Sequence, residues 1–326
     1  MGFWSIEELN CVIFSDNSGL VVRTQSGFYW VKTSLDTVMC QVAGRLKDTD
    51  ELTSDLVALG DHVVIERHEE DDRGTIVEVL ERQNILSRVD PSSAVGTSME
   101  KEQIIIANCD QTIFVMAAAQ PQPQPRMLDR LLVAAEKGHI PSIVICVNKI
   151  DLIEAPIYQS VFQIYASIGY PVVYVSAKQH LGIEALHDLL KDKVSVFTGP
   201  SGVGKSSLLN AIQPGLKLET SHISQSSQKG RHTTRFSQLI PLEIGGYVAD
   251  TPGIRALAPW DIEPHELDSY FREIRPFVEK CRFADCTHHH EPGCAVREAV
   301  EKGSITPERY DSYLRLREDL EEQYVY

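Results

Sequence analysis

Along residues 19–80, apolar and polar positions alternate in short runs at 19–23, 28–32, 38–46, 62–67 and 73–80, separated by turn residues such as Ser26-Gly27, Gly60-Asp61 and Asp72-Arg73-Gly74. A period of two predicts half-buried strands. Five short strands in so small a span predict a five-stranded barrel of the OB type. The pattern then changes. Apolar runs at 103–107, 112–117, 142–147, 171–175 and 194–198 alternate with helix-period segments at 127–137, 161–168, 183–190 and 205–212. Strands alternating with helices predict a parallel α/β sheet. Two more strands, 239–244 and 247–249, flank Gly245-Gly246, and the segments 264–280 and 307–321 read as helices.

These patterns divide the chain into a barrel over 1–88, a polar linker over 89–103, an α/β domain over 104–258 and a helical domain over 259–326. Apolar residues at 43% suffice for packed cores, and no apolar run of 18 residues suggests a membrane helix. The first residues carry Glu7 and Glu8 where a signal peptide needs basic residues. A soluble, cytoplasmic protein without a membrane partner is expected. A net charge of −15 argues against a surface wrapped by nucleic acid and leaves room for a local basic face. Phe28, Tyr29 and Trp30 in the barrel suit either base stacking or core packing, and the sequence leaves that choice open. The alternate prolines of 120–125 forbid both helix and ladder and predict a stiff, extended connector.

The candidate chemistry centres on Gly199-Pro200-Ser201-Gly202-Val203-Gly204-Lys205-Ser206, followed by Ser207, between a strand and a helix. This is the phosphate-loop pattern G-x-x-x-x-G-K-[ST]. Its glycines let backbone N–H groups turn inward on phosphate oxygens at the positive end of a helix. Lys205 is expected to reach the outer phosphates and Ser206 to ligate magnesium. Asn148-Lys149-Ile150-Asp151 ends another strand and resembles the guanine-reading N-K-x-D. The Asp151 carboxylate can accept from both N1–H and the exocyclic amine of guanine, a pair that adenine does not offer. Ser176-Ala177-Lys178 after the next strand suits a second base-contacting loop.

Residues 221–228 are rich in Ser and Gln and predict a mobile loop leading into Lys229-Gly230-Arg231-His232-Thr233-Thr234-Arg235. Thr234, with Thr233 as its rival, is the candidate to complete magnesium coordination. Asp250-Thr251-Pro252-Gly253 matches D-x-x-G, in which Asp250 holds magnesium through water and the Gly253 N–H meets the γ-phosphate. The next position, where a water-orienting glutamine commonly sits, holds Ile254, so His232 is the candidate catalytic group. The base-reading motifs precede the phosphate loop, an order that implies circular permutation.

Between the C-terminal helices, residues 281–294 contain three cysteines and three histidines. Cys281, Cys286, His288 and Cys294 give a closed tetrahedral zinc set that would be structural, although the chemistry alone does not choose among His288, His289 and His290. Cys11, Cys40, Cys109 and Cys146 sit in apolar surroundings and read as core residues.

The permuted order, the Gly-Arg-His-Thr-Thr stretch, the N-terminal barrel and the C-x4-C-x-H-x5-C cluster closely resemble the RsgA (YjeQ) family of circularly permuted bacterial GTPases. The resemblance covers nearly the whole chain. It implies an OB-fold, a permuted G domain and a zinc domain. It also implies GTP hydrolysis to GDP, stimulated by the small ribosomal subunit and its rRNA during late maturation of that subunit. It favours His288 as the fourth zinc ligand. One departure from the family pattern is the first switch, which reads His232-Thr233-Thr234-Arg235 where many relatives carry a third threonine, so Thr233 and Thr234 both stay candidates for magnesium. Zinc, one per chain, and magnesium are the expected cofactors, and the expected state is a monomer.

Overall fold

The structure, a computed structural model, describes residues 16–46, 56–68, 71–89, 102–216, 237–250 and 262–324. Strands β1 (Ser18–Gln25), β2 (Phe28–Lys32), β3 (Thr37–Val42), β4 (His62–Arg67) and β5 (Arg73–Val79) close a barrel in the order β1-β2-β3-β5-β4-β1. Alternate residues point inward, and Val21, Val31, Val38, Ile65 and Ile76 form the barrel core. The run 38–46 is shorter than its pattern suggests: the strand stops at Val42 and Gly44–Leu46 is a 3-10 turn. Tyr29 packs partly into the core, and Trp30 lies under the Arg23 guanidinium, 4.5 Å from the ring centroid.

The polar stretch read as a linker has strand at both ends. β6 (Ile85–Val89) pairs antiparallel with β7 (Glu102–Ala107), placing Arg88 opposite Gln103. The Arg88 guanidinium donates twice to Gln103 Oε1, at 2.9 and 2.7 Å. Those bonds satisfy the polar side chains at one end of a ladder whose other end, with Leu86, Ile105 and Ile106, enters the core. Residues 90–101 lie outside the described part.

The α/β domain contains β8 (Gln111–Ala117), β9 (Ser142–Asn148), β10 (Val172–Tyr174), β11 (Val194–Thr198), β12 (Ser237–Pro241) and β13 (Tyr247–Asp250). Their order is β10-β9-β8-β11-β13-β12, parallel except for β12. Helices α1 (Pro125–Lys137) and α2 (Ala155–Ser167) cover one face, and α3 (Ile183–Leu190) and α4 (Lys205–Ile212) cover the other. β8 is buried at every position because it sits between both layers: Phe114 and Met116 face one core, Ile113 and Val115 the other. The strand expected at 239–244 ends at Pro241, and Leu242 begins the turn that closes the hairpin, its N–H donating to Gly246 O at 3.1 Å. β12 also pairs with barrel strand β1, so the two parts share one continuous sheet.

The C-terminal region carries α5 (Arg275–Val278), α6 (Ala295–Glu301) and α7 (Pro307–Tyr324) around its own core. The single helix expected over 264–280 is replaced by a 3-10 turn at Leu267–Tyr270, an extended Phe271 and the short α5. Tertiary demands override the helical period here. Phe271 turns into the core, and Asp268 is drawn to His288. The region docks on α1 and α2 through Arg309, which is 2% exposed and donates to Glu273 at 2.6 Å and to Asp129; Tyr165 donates to the same Asp129 at 2.8 Å. Among the described residues no helix is long and apolar enough to cross a membrane.

Candidate nucleotide site and metal centre

The phosphate-loop pattern occupies the turn between β11 and α4. Two glycines make its path feasible. Gly199 has φ +141, and a Cβ there would lie 2.1 Å from Val115 O; Gly204 has φ +96, and a Cβ there would lie 2.4 Å from Asn148 Nδ2. Val203 anchors the loop in the core, while Ser201 and Gly202 are exposed. Lys205 Nζ donates to Gly199 O at 2.6 Å and Pro200 O at 2.8 Å, so its ammonium spans the loop. Ser206 follows, half-buried, and Ser207 is exposed. The first-turn N–H groups of α4 supply an anion-binding end.

The base-reading candidates converge on this loop. Asn148 ends β9 and is 2% exposed. Its Nδ2 donates to Val203 O at 2.9 Å, and its Oδ1 accepts from Ala177 N at 3.1 Å. Lys149, with φ +64, donates to Gly202 O at 2.6 Å and to Gln120 O. Burial pushes its pKa below the usual lysine value, and Asp151 pulls it the other way. Asp151 Oδ1 accepts from Ser176 Oγ at 2.6 Å, and Ser176 Oγ accepts from Gln179 N at 3.1 Å. That chain fixes the carboxylate before any base arrives. Lys178 is exposed at the rim.

The backbone of Asp250 ends β13. It lies one residue beyond the Val196–Ala249 pair, level with Phe197 and two residues before the phosphate loop begins at Gly199. A hydroxyl at Ser206 and a carboxylate at Asp250 are hard oxygen donors of the kind magnesium takes. His232, Thr233, Thr234 and Gly253, together with Ile254, the loop 221–228 and Cys11, lie outside the described residues.

The second site is the cysteine cluster. The ligand atoms of Cys281, Cys286, His288 and Cys294 all lie within 4.8 Å of one another. Cys281 Sγ and Cys294 Sγ are 4.0 Å apart, and each is 3.5 Å from His288 Nδ1. A tetrahedral zinc with ordinary bond lengths has edges of roughly 3.8 Å between sulfurs and 3.6 Å from sulfur to nitrogen, so the donor set fits. His288 Nε2 faces Asp268 Oδ2 at 3.0 Å, which directs Nδ1 toward the thiols. His289 and His290 are exposed, and their backbone N–H groups donate to the Glu291 carboxylate at 3.1 and 3.2 Å.

The RsgA GTPase family model matches residues 79–260, and the RsgA N-terminal domain model matches residues 18–76. The chain belongs to the RsgA GTPase family. The small ribosomal subunit biogenesis GTPase RsgA of Gemmatimonas aurantiaca is 43% identical, over 94% of this chain and 98% of that protein. The protein of the same name from Caldanaerobacter subterraneus is 40% identical, over 94% of this chain and 96% of that one. The crystal structure of YjeQ from Thermotoga maritima matches with a TM-score of 0.73 at 37% identity, covering 93% of this chain and 98% of the other. YloQ, described as a circularly permuted GTPase, matches with a TM-score of 0.70 at 33% identity, covering 94% and 96%.

This member of the RsgA family also uses residues that its motifs do not reveal. Asp268, twenty positions before His288, orients the imidazole but sits in a stretch with a helical apolar pattern. Gln120 joins the site through its carbonyl, which no side-chain pattern could mark. Both are tertiary placements without a local spacing signature.

Proposed function

We propose that this chain binds GTP with Asn148, Lys149, Asp151, the 176–178 loop, the 199–207 loop and Gly253, and hydrolyses it to GDP and phosphate during late maturation of the small ribosomal subunit. The observation that carries the reading is the pair of hydrogen bonds made by Asn148, one to the phosphate loop and one to the second base-contacting loop. They gather into one site three motifs that the sequence order separates. The Asp151 carboxylate, held by Ser176, reads guanine. Lys205 exchanges its loop carbonyls for the outer phosphates.

Magnesium, when bound, offsets the charge on the transferred phosphoryl group. Ser206, Asp250 and Thr234, with Thr233 as the rival threonine, are the residues proposed to hold it. His232 is the proposed base that positions the attacking water, ordered in place by the subunit. Cys281, Cys286, His288 and Cys294 hold one zinc, which crosslinks a loop of few apolar side chains. The name carried by the relatives, small ribosomal subunit biogenesis GTPase, supports a role on that subunit here. We take the working divisions as 1–88, 89–103, 104–258 and 259–326, with subunit rRNA as partner, a monomeric state and a cytoplasmic setting.

A fluorescent GTP analogue chased with GTP, GDP and ATP tests the reading. Displacement by both guanine nucleotides and resistance to ATP are expected. Equal displacement by ATP would move the chain to the ATPases or kinases.

A further inference from the structure

The register of the sheet puts three residues in one row across the joint between barrel and α/β domain. Arg23 of β1 stands opposite Gln238 of β12, and Gln238 stands opposite Asp250 of β13. Neighbouring strands lie about 4.8 Å apart, so the barrel backbone comes within about 10 Å of the Asp250 backbone. Without β1, strand β12 would be an edge with open N–H and C=O groups.

β1 is built to cover that edge. It closes the barrel against β4 at Ser18–Leu20, and its register against β2 slips between Val21 and Arg23, just where it turns to β12. Arg23 is held by a 2.6 Å bond to Gln25 Oε1 and by its stack on Trp30. A second contact resists hinging at the joint. Ala107 N donates to Leu59 O at 2.8 Å, Asn108 Nδ2 donates to Gly60 O at 3.1 Å, and a Cβ at Gly60 would lie 2.1 Å from Ala107 O. Leu20 and Leu59 of the barrel share a core with Leu239 and Ala249, the neighbours of Gln238 and Asp250.

We propose that barrel strand β1 is a positioning element for Asp250, acting through the Arg23–Gln238–Asp250 row, so that the β1–β12 pairing and the binding of magnesium nucleotide strengthen each other. The inference rests on the reading of Asp250 as a magnesium carboxylate. The reasoning is mechanical. Backbone ladders fix strand spacing and register, so loss of one strand's pairing frees the next to shift. Coupling of this kind is reciprocal.

The test uses Ser237→Pro, because among the described residues the cross-strand partner of Ser237 is Thr24 of β1. The magnesium concentration for half-maximal binding of a non-hydrolysable fluorescent GTP analogue should rise about tenfold, a usual size for coupling between sites. Magnesium-free GDP binding should not change, since the phosphate loop and Asp151 are untouched. Thr24→Cys with Ser237→Cys, oxidised, should keep the wild-type magnesium dependence, because directly opposed Cα atoms lie about 4.5–5.5 Å apart, within disulfide range. Wild-type magnesium dependence in Ser237→Pro overturns the proposal. Asp250→Asn separates the two claims. Unaltered magnesium dependence there removes Asp250 from the metal and the proposal with it, whereas a shift there with none in Ser237→Pro overturns the positioning role alone. If Ser237→Pro does not fold, amide exchange on the wild-type chain decides. The Arg23 and Thr24 amides should exchange about tenfold more slowly with magnesium and the GTP analogue than with magnesium-free GDP, and equal rates overturn the proposal.

Discussion

Asn148 Nδ2 donates to the Val203 carbonyl at 2.9 Å, a bond that joins the loop after β9 to the phosphate loop across 55 positions of sequence. The permuted order of motifs is harmless for this reason. The sheet sets strand ends side by side, and one buried amide then ties the loops together.

Asn148→Ala leaves the Val203 carbonyl and the Ala177 N–H without this partner, at about 1–3 kcal/mol for each group left unsatisfied. GTP affinity should fall on the order of 10- to 100-fold with circular dichroism unchanged. Fluorescent-nucleotide titration checks this, and wild-type affinity in a folded variant contradicts it.

Asp151→Asn should lose the preference for GTP and admit xanthine nucleotides. The carboxylate is prepared by Ser176 Oγ at 2.6 Å, and each charge-assisted bond to the base contributes about 1.5–3 kcal/mol. Competition of XTP and GTP for the variant measures it. Unchanged GTP preference removes Asp151 from base reading.

Much of this was legible in the sequence because it rests on local periodicity or on fixed spacing. The barrel strands alternate, the central α/β strands β8, β9 and β11 are buried on both faces, and the phosphate loop lies between β11 and α4 as its pattern requires. The failures share a cause. Over 264–280 the apolar spacing was helical, yet Phe271 and Asp268 answer to a distant core and to His288. The strand Ile85–Val89 is short and half polar, and only its partner β7, which sets Gln103 opposite Arg88, completes it. The β1–β12 pairing joins residues more than 200 positions apart, beyond the reach of any window.

Arg309 ties the C-terminal region to α1, with both of its carboxylate partners buried. Arg309→Met should destabilise that region by about 3–5 kcal/mol, since it leaves two buried carboxyl groups without their partner. Chemical denaturation followed by C-terminal probes reads the loss. A change below about 1 kcal/mol would mean that water reaches the carboxylates.

Thiol chemistry separates the core cysteines from the proposed zinc ligands. Cys40, Cys109 and Cys146 are no more than 1% exposed and burial raises their pKa, so a reagent does not reach them in the folded chain, whereas Cys281 and Cys286 are only half-buried. Chelation should release one zinc and make Cys281, Cys286 and Cys294 reactive toward a disulfide reagent. Reaction of these three at full rate before chelation, with no zinc by elemental analysis, contradicts the metal assignment.

Turnover of GTP by the purified chain, alone and with purified small ribosomal subunits, tests the central claim most directly. Slow GTP hydrolysis alone, marked stimulation by small subunits, loss of both in Lys205→Ala and no turnover of ATP are the results expected. An absence of GTP turnover with small subunits present, or equal turnover by Lys205→Ala, would contradict the account.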